Sequence, residues 1–203
     1  MDFVQSYVNE VQNTLARLPW LQIRQAIAVL QSARLNGRQV FLIGNGGSAA
    51  TASHFASDLG RGVEGAAPPL RARALTDSMA VFSAMANDYG YEQVFSRQLA
   101  CLLQPGDVVI AISGSGNSPN VLNAVRLAHE RGAMTIGLVG FDGGYLREMV
   151  DLCIHVENGC IEQVEDVHVL LAHLIATALR QMATAPSSPA EVVVDASCRV
   201  PGP

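Results

Sequence analysis

Val108-Val109-Ile110-Ala111-Ile112, running straight into Ser113-Gly114-Ser115-Gly116-Asn117-Ser118-Pro119, decides the fold. Five consecutive apolar residues without alternation read as a strand covered on both faces, as in a parallel sheet under helices. Gly106-Asp107 turns the chain into that strand. Pro119 suits the first turn of a helix, and Val121, Ala124, Val125 and Ala128 give residues 119–131 one apolar face. The unit is therefore strand, small-residue loop, helix. The same unit stands upstream. Residues 39–43 are apolar, Gly44-Asn45-Gly46-Gly47-Ser48 follows, and a helix is expected over 48–59.

Working outward, strands are expected over 70–75, 134–139 and 152–156, and helices over 78–85, 91–102 and 162–182. Residues 60–69 read as loop, and Asp142-Gly143-Gly144 as a turn. Short strands alternating with helices predict an α/β protein: a three-layer, doubly wound parallel sheet of flavodoxin-like type, with ligands beyond the C-terminal strand ends. Two further helices precede the sheet, over 2–18 and 21–34, the second stopped by Asn36-Gly37. In the first, Val4, Val8, Val11, Leu15 and Leu18 form a narrow apolar seam. Such a seam suits a partner helix, so a homo-oligomer is expected, with a tetramer first. Residues 1–183 read as a single domain. The Pro-, Ala- and Ser-rich stretch 184–203 is expected to be a mobile tail.

Composition narrows the function. Apolar residues make up 49% of the chain and charged residues 15%, which favours an ordered, well-buried protein. The formal net charge is −5 without a Lys/Arg run, which argues against a nucleic-acid partner. Cys101, Cys153, Cys160 and Cys198 fit neither a CxxC pair nor a disulfide framework. No basic-then-apolar leader or long apolar run suggests a membrane, and a cytoplasmic protein is expected.

Both Gly/Ser-rich loops lead from a strand into a helix. Glycine lets the backbone approach a ligand, and the free N–H groups at a helix start favour an anion. The hydroxyls of Ser113, Ser115 and Ser118 can donate to phosphate oxygens without adding charge. Gly44-x-Gly46-x-x-Ala49 only partly matches a dinucleotide fingerprint. The acidic residue expected about 20 positions on is missing, since Asp77 lies too far along; no nucleotide cofactor is expected.

His54 and Asp58, four apart, share a helix face. Glu165, Val169 and His173 form a stripe on the last helix. Carboxylates and histidines on two helices beside a phosphate loop suit acid/base work, and His54, Asp58, Glu165 and His173 could also bind a divalent metal. His129 and His155 fit no constellation and read as structural.

These residues resemble a known family. Gly44-Asn45-Gly46-Gly47-Ser48, His54-Phe55-Ala56, Asn87-Asp88-Tyr89-Gly90-Tyr91-Glu92, Phe95-Ser96-Arg97, Ile112-Ser113-x-Ser115-Gly116-Asn117-Ser118 and Gly140-x-Asp142-Gly143-Gly144 are similar to the bacterial phosphoheptose isomerases, which carry the sugar isomerase (SIS) fold. The resemblance spans about residues 1–182. It implies conversion of sedoheptulose 7-phosphate into D-glycero-D-manno-heptose 7-phosphate by a homotetramer with active sites between subunits. It implies substrate contacts at Asn45, Gly46, Gly47, Ser48, Asp88, Ser113, Gly114, Ser115, Ser118 and Glu165, the serines chiefly at the phosphate. It also implies a base at Asp58 and its partner at His173. His54, Asp58, Glu165 and His173 match a zinc site seen in some members. The chain departs from the family at Asp58, which stands for a glutamate, at Glu165, which stands for a glutamine, and at Gly114, which stands for a threonine. One branch of the family is similar in fold but binds a replication initiator, without acid/base side chains at the positions of Asp58 and His173. A non-catalytic phosphosugar-binding or initiator-binding protein is thus the alternative to an enzyme.

Overall fold

The computed structural model describes residues 2–61 and 68–184. Most of the loop expected over 60–69 therefore lies outside the described residues. So does the expected tail, except Thr184, which ends the last helix.

In chain order, α1 (Phe3–Ala16), α2 (Trp20–Leu35), β1 (Gln39–Gly44), α3 (Gly47–Gly60), β2 (Arg71–Ala74), α4 (Met79–Tyr89) and α5 (Val94–Leu102) come first. They are followed by β3 (Val108–Ser113), α6 (Pro119–Glu130), β4 (Met134–Val139), α7 (Gly144–Met149), β5 (Leu152–His155) and α8 (Ile161–Thr184). The strands form one parallel sheet in the order β2-β1-β3-β4-β5. The chain reverses its direction of winding between β1 and β3, so a crevice opens between their C-terminal ends. Gly44 pairs with Ile112, so the two Gly/Ser-rich loops leave the sheet side by side.

Both faces of the sheet are covered, as the unbroken apolar runs require. Val40, Leu42, Ile110 and Ile112 pack in one core with Ile23, Leu30, Phe55 and Leu171 from α2, α3 and α8. Their strand neighbours Phe41, Ile43, Val109 and Ala111 point the other way, toward Phe95, Leu99, Val121 and Val125 from α5 and α6. Alternate residues of one strand thus feed two cores.

Three local details differ from the expectation. Residues 91–102 are not one helix: a single 3-10 turn, Tyr91–Gln93, precedes α5, because Gly90 at φ +88° re-aims the chain. The helix expected over 78–85 runs on to Tyr89 as α4, with Ser78 Oγ accepting from Val81 N at 3.4 Å to cap it. The short α7 was not expected. Six residues opening on a glycine carry too little periodicity to register as a helix.

The N-terminal helices follow the seam only in part. Leu18 is buried and Leu15 half-buried, while Val4 and Val8 are exposed. The anchoring to α8 is polar: Tyr7 OH donates to Asp166 Oδ2 at 2.7 Å, and Asn158 Nδ2 donates to Thr14 Oγ1 at 2.8 Å and to Gln163 Oε1 at 2.7 Å. α4 is barer still. It reads Met-Ala-Val-Phe-Ser-Ala-Met-Ala-Asn-Asp-Tyr and buries none of its residues. Among the described residues no helix is long and apolar enough to cross a membrane.

His129 and His155 are tied into the fold, through Nε2 contacts of 2.9 Å to Thr135 Oγ1 and 2.9 Å to the Phe141 carbonyl. His168 on α8 is fully buried, and neither ring nitrogen makes a well-formed hydrogen bond. Burial pushes its pKa down to about 4, against a smaller upward pull from the Val139 backbone. An unfolded histidine titrates near ~6.5. Between those values the unfolded chain takes up a proton that the native chain refuses. Stability should therefore be intact above the unfolded value and fall as pH drops toward 4, by roughly 3 kcal/mol in all. Urea titrations across that window should show this slope flattened in His168→Leu, and an unchanged slope would refute it.

Candidate active site

The β1–α3 loop is shaped by Gly46, at φ +54° and ψ −122°, a conformation that side-chain-bearing residues avoid. It leaves Gly47 and Ser48 as the first residues of α3, with Ser48 buried. A Cβ on Gly47 would collide with the carboxylate of Glu165. Glu165 thus lies over the N-terminus of α3, where the helix dipole favours a negative charge.

In the β3–α6 loop, Ser113 Oγ accepts from Gly116 N at 3.2 Å and lies 3.5 Å from Ser118 Oγ. Ser115 Oγ accepts from Asn117 N at 3.3 Å. Ser118 is the N-cap of α6, yet its hydroxyl makes no capping hydrogen bond. One of Ser113 and Ser118 donates to the other, so Ser115 and one of that pair keep an O–H donor available to an anion at the helix start. Leu146 N donates to Gly116 O at 3.0 Å and Tyr145 N to Asn117 Oδ1 at 3.1 Å, so α7 braces the loop from below. A Cβ on Gly114 would meet Cδ1 of Ile161, the far end of an exposed side chain that would have to turn aside.

A second group of side chains sits farther along α3. His54 Nε2 is 3.0 Å from His173 Nε2 and 3.5 Å from Asp58 Oδ2, and His173 Nε2 is 3.8 Å from the same oxygen. Asp58 is buried, and the two imidazoles are exposed. Arg61 Nη2 stands 3.9 Å from Asp58 Oδ1. The expectation allowed α3 and α8 to meet across a subunit or domain contact; they meet within one chain. These three side chains form a group that could hold a metal ion.

Glu165 is not part of that group. Eight residues separate it from His173, about 12 Å of helix, so the two sit at opposite ends of the α3–α8 contact. The four expected metal ligands are therefore split, three at one end and Glu165 at the phosphate-loop end. Asp88, exposed near the end of α4, accepts from Asn87 Nδ2 at 2.9 Å. Among the described residues no hydrogen bond joins Asp88 to either loop.

Sequence reasoning missed two residues beside the loops. Tyr91 OH donates to Asn45 Oδ1 at 2.9 Å, and Asn120 exchanges two hydrogen bonds with Asn45, at 2.8 and 2.9 Å. The available signal was an asparagine two residues after Ser118, where the helix start would bury an amide against the neighbouring loop.

A doubly wound sheet with two serine- and glycine-rich loops at its switch point has the architecture of an SIS domain, and the family model for the SIS domain matches residues 6–140. The chain is 40% identical over 176 residues to a phosphoheptose isomerase of Azoarcus sp. (strain BH72), covering 83% of this chain and 88% of that one. The solved phosphoheptose isomerase of Francisella tularensis superposes with a TM-score of 0.82 at 35% identity, over 88% of this chain and 95% of the other. That of Neisseria gonorrhoeae gives 0.80 at 33% identity, over the same shares. The chain belongs to the phosphoheptose isomerase family.

Proposed function

We propose that this protein converts sedoheptulose 7-phosphate into D-glycero-D-manno-heptose 7-phosphate. The observation that carries an enzymatic reading over a purely binding one is the meeting of Asp58 with His173. A binding protein has no need of a buried carboxylate facing two imidazoles.

In this reading the hydroxyls of Ser113, Ser115 and Ser118 and the α6 N-terminus hold the phosphate. Ser48 and Asn45 face the sugar from the β1–α3 loop, with Gly46 and Gly47 keeping the backbone close, and Asp88 contacts a hydroxyl group. Asp58 takes the proton from C1 of the ketose and returns it at C2 of the enediol. His173 serves the oxygens, giving a proton to O2 and relieving O1 of one. Charge stays small throughout because each proton removed is replaced nearby.

The donor set also fits zinc. A tetrahedral zinc with ligands near 2.0–2.1 Å has ligand-to-ligand edges of about 3.4 Å, and the three separations of 3.0, 3.5 and 3.8 Å bracket that value. His54, Asp58 and His173 would hold it. Such an ion would polarise the substrate oxygens as a Lewis acid.

The site is proposed to be completed by a second copy. From Ser48 to Asp58 runs ten residues of helix, about 15 Å. From the phosphate to C1 of an extended seven-carbon chain is about 10 Å. One chain's loops and its own acid/base group are thus too far apart for one substrate, whereas a neighbour's group can close the gap. The bare apolar surfaces of α1 and α4 offer the contacts. Sedimentation at micromolar concentration should give a homo-oligomer, tetramer first; a monomer would reject this arrangement.

Incubation with sedoheptulose 7-phosphate, followed by NMR, tests the activity: the aldose anomeric signals should grow in. Folded protein that leaves the ketose unchanged would exclude the proposal. Ser115→Ala should weaken phosphate binding by about 1.5–3 kcal/mol, the worth of a hydrogen bond to a charged group. Undiminished binding in the Ser115→Ala, Ser118→Ala double variant would remove the phosphate from this loop.

A further inference from the structure

Asn45 is held by its neighbours in one orientation. Asn120, the second residue of α6, is almost fully buried. Its Oδ1 accepts from Val121 N at 3.0 Å, and that backbone donor fixes which end of the Asn120 amide is oxygen. The Asn120 Nδ2 must then donate to Asn45 Oδ1, and Asn45 Nδ2 must donate back to Asn120 Oδ1. Tyr91 OH gives Asn45 Oδ1 its second donor. The Tyr91 ring is itself fixed, edge-on to Phe82 with centroids 5.9 Å apart. Asn123 Nδ2, one turn along α6, ties the same turn down by donating to Glu92 O at 3.0 Å.

A carboxamide offers two acceptor sites on oxygen and two N–H donors. Both acceptor sites of Asn45 are taken, and one donor is used on Asn120. A single N–H remains. We propose that Asn120 and Tyr91 are positioning residues that make Asn45 a donor only, so that it meets the substrate at an oxygen acting as acceptor. This rests on the reading of the loops as the sugar-phosphate site. A freely turning asparagine would serve a hydroxyl group as readily as a carbonyl oxygen. A locked one favours an oxygen that gains negative charge as the enediol forms, because its N–H is already aimed and cannot turn away.

The test is a double-mutant cycle in the full-length protein, with Asn45→Ala, Tyr91→Phe and Asn120→Leu. Tyr91→Phe keeps the ring and loses only the hydroxyl, so it guards against a folding defect in Asn120→Leu. Each of the two should lower kcat/KM by roughly tenfold, mainly through kcat, while the affinity for inorganic phosphate and the Tm of Tyr91→Phe stay at the wild-type values. In the Asn45→Ala background neither should have any further effect, since both act through Asn45. Effects that multiply in that background would overturn the proposal, as would a Tyr91→Phe variant with unchanged kcat/KM. The same cycle run by calorimetry on the affinity of a phosphorylated sugar hydroxamate, whose oxygens mimic the charged enediol, separates this test from the isomerase reading. Without turnover the isomerase reading fails, while non-additive losses of affinity would still support the locked Asn45 and additive ones would still refute it.

Discussion

Asp58→Asn protein is expected to lose isomerase turnover by roughly 10²–10⁴-fold, the usual worth of a general acid/base group. The substitution keeps the size and most of the contacts of a buried side chain whose Oδ2 faces His54 and His173 at 3.5 and 3.8 Å. It removes the negative charge, and with it the ability to accept a proton, to pair with Arg61 and to hold a cation beside His54 and His173. His173→Ala should produce a comparable loss from the other side of the pair. Neither residue touches the β3–α6 loop, so calorimetry with inorganic phosphate should give wild-type affinity for both variants. Turnover of sedoheptulose 7-phosphate by Asp58→Asn at the wild-type rate would remove Asp58 as the base. Parallel loss of phosphate affinity would mean that the variant had disturbed the fold instead.

Gly116→Ala should be the most damaging single methyl in the phosphate loop. Gly116 has φ +65°, and an added Cβ would fall inside the carbonyl of Gly143. Both colliding groups are backbone or fixed to it, so no side chain can swing aside. A strained left-handed residue costs about 1–3 kcal/mol, and forced displacement of a packed neighbour about as much again. The total of about 2–6 kcal/mol is a large share of the 5–15 kcal/mol that holds a typical domain together. Urea denaturation should show that loss, and phosphate binding should fall with it, because Gly116 O also accepts from Leu146 N. A variant within 0.5 kcal/mol of wild type, by the same urea measurement, would show that the start of α7 does not brace the β3–α6 loop as described.

The parallel sheet was legible in the sequence because β3 and most of β1 are unbroken apolar runs closed by serine or glycine, and because short strands keep alternating with helices after them. Strand order was implied only through the flavodoxin-like expectation, since pairing partners such as Val40 and Val108 lie far apart in the chain. Both serine- and glycine-rich loops were visible, and so was the i, i+4 pair His54 and Asp58. What periodicity could not give was distance along the helix pair. Glu165 and His173 share a stripe, yet sharing a stripe over eight residues still leaves them two turns apart. Leu171 and Ile175 are buried in the core on another side of α8, which leaves the stripe of Glu165 and His173 turned toward α3. Asn120 and Tyr91 were hidden for another reason. Their role depends on hydrogen bonds that reach 46 and 75 positions along the chain, so the asparagine at the start of α6 was visible but its partner was not.

The sheet order also sets a schedule for synthesis. β1 lies between β2 and β3, and Val40 waits for Val108 before it has a neighbour on that side. At about 5–20 residues per second, those 68 positions of chain take about 3–14 s to emerge. The wait for α2 is longer, because Arg34 donates to the carbonyl of Leu179, 145 positions further on. During that interval the apolar face of β1 and the inner side of α2 are open to any other hydrophobic surface nearby. A nascent chain of this topology therefore carries its earliest strand half-dressed on the ribosome for the whole of that interval.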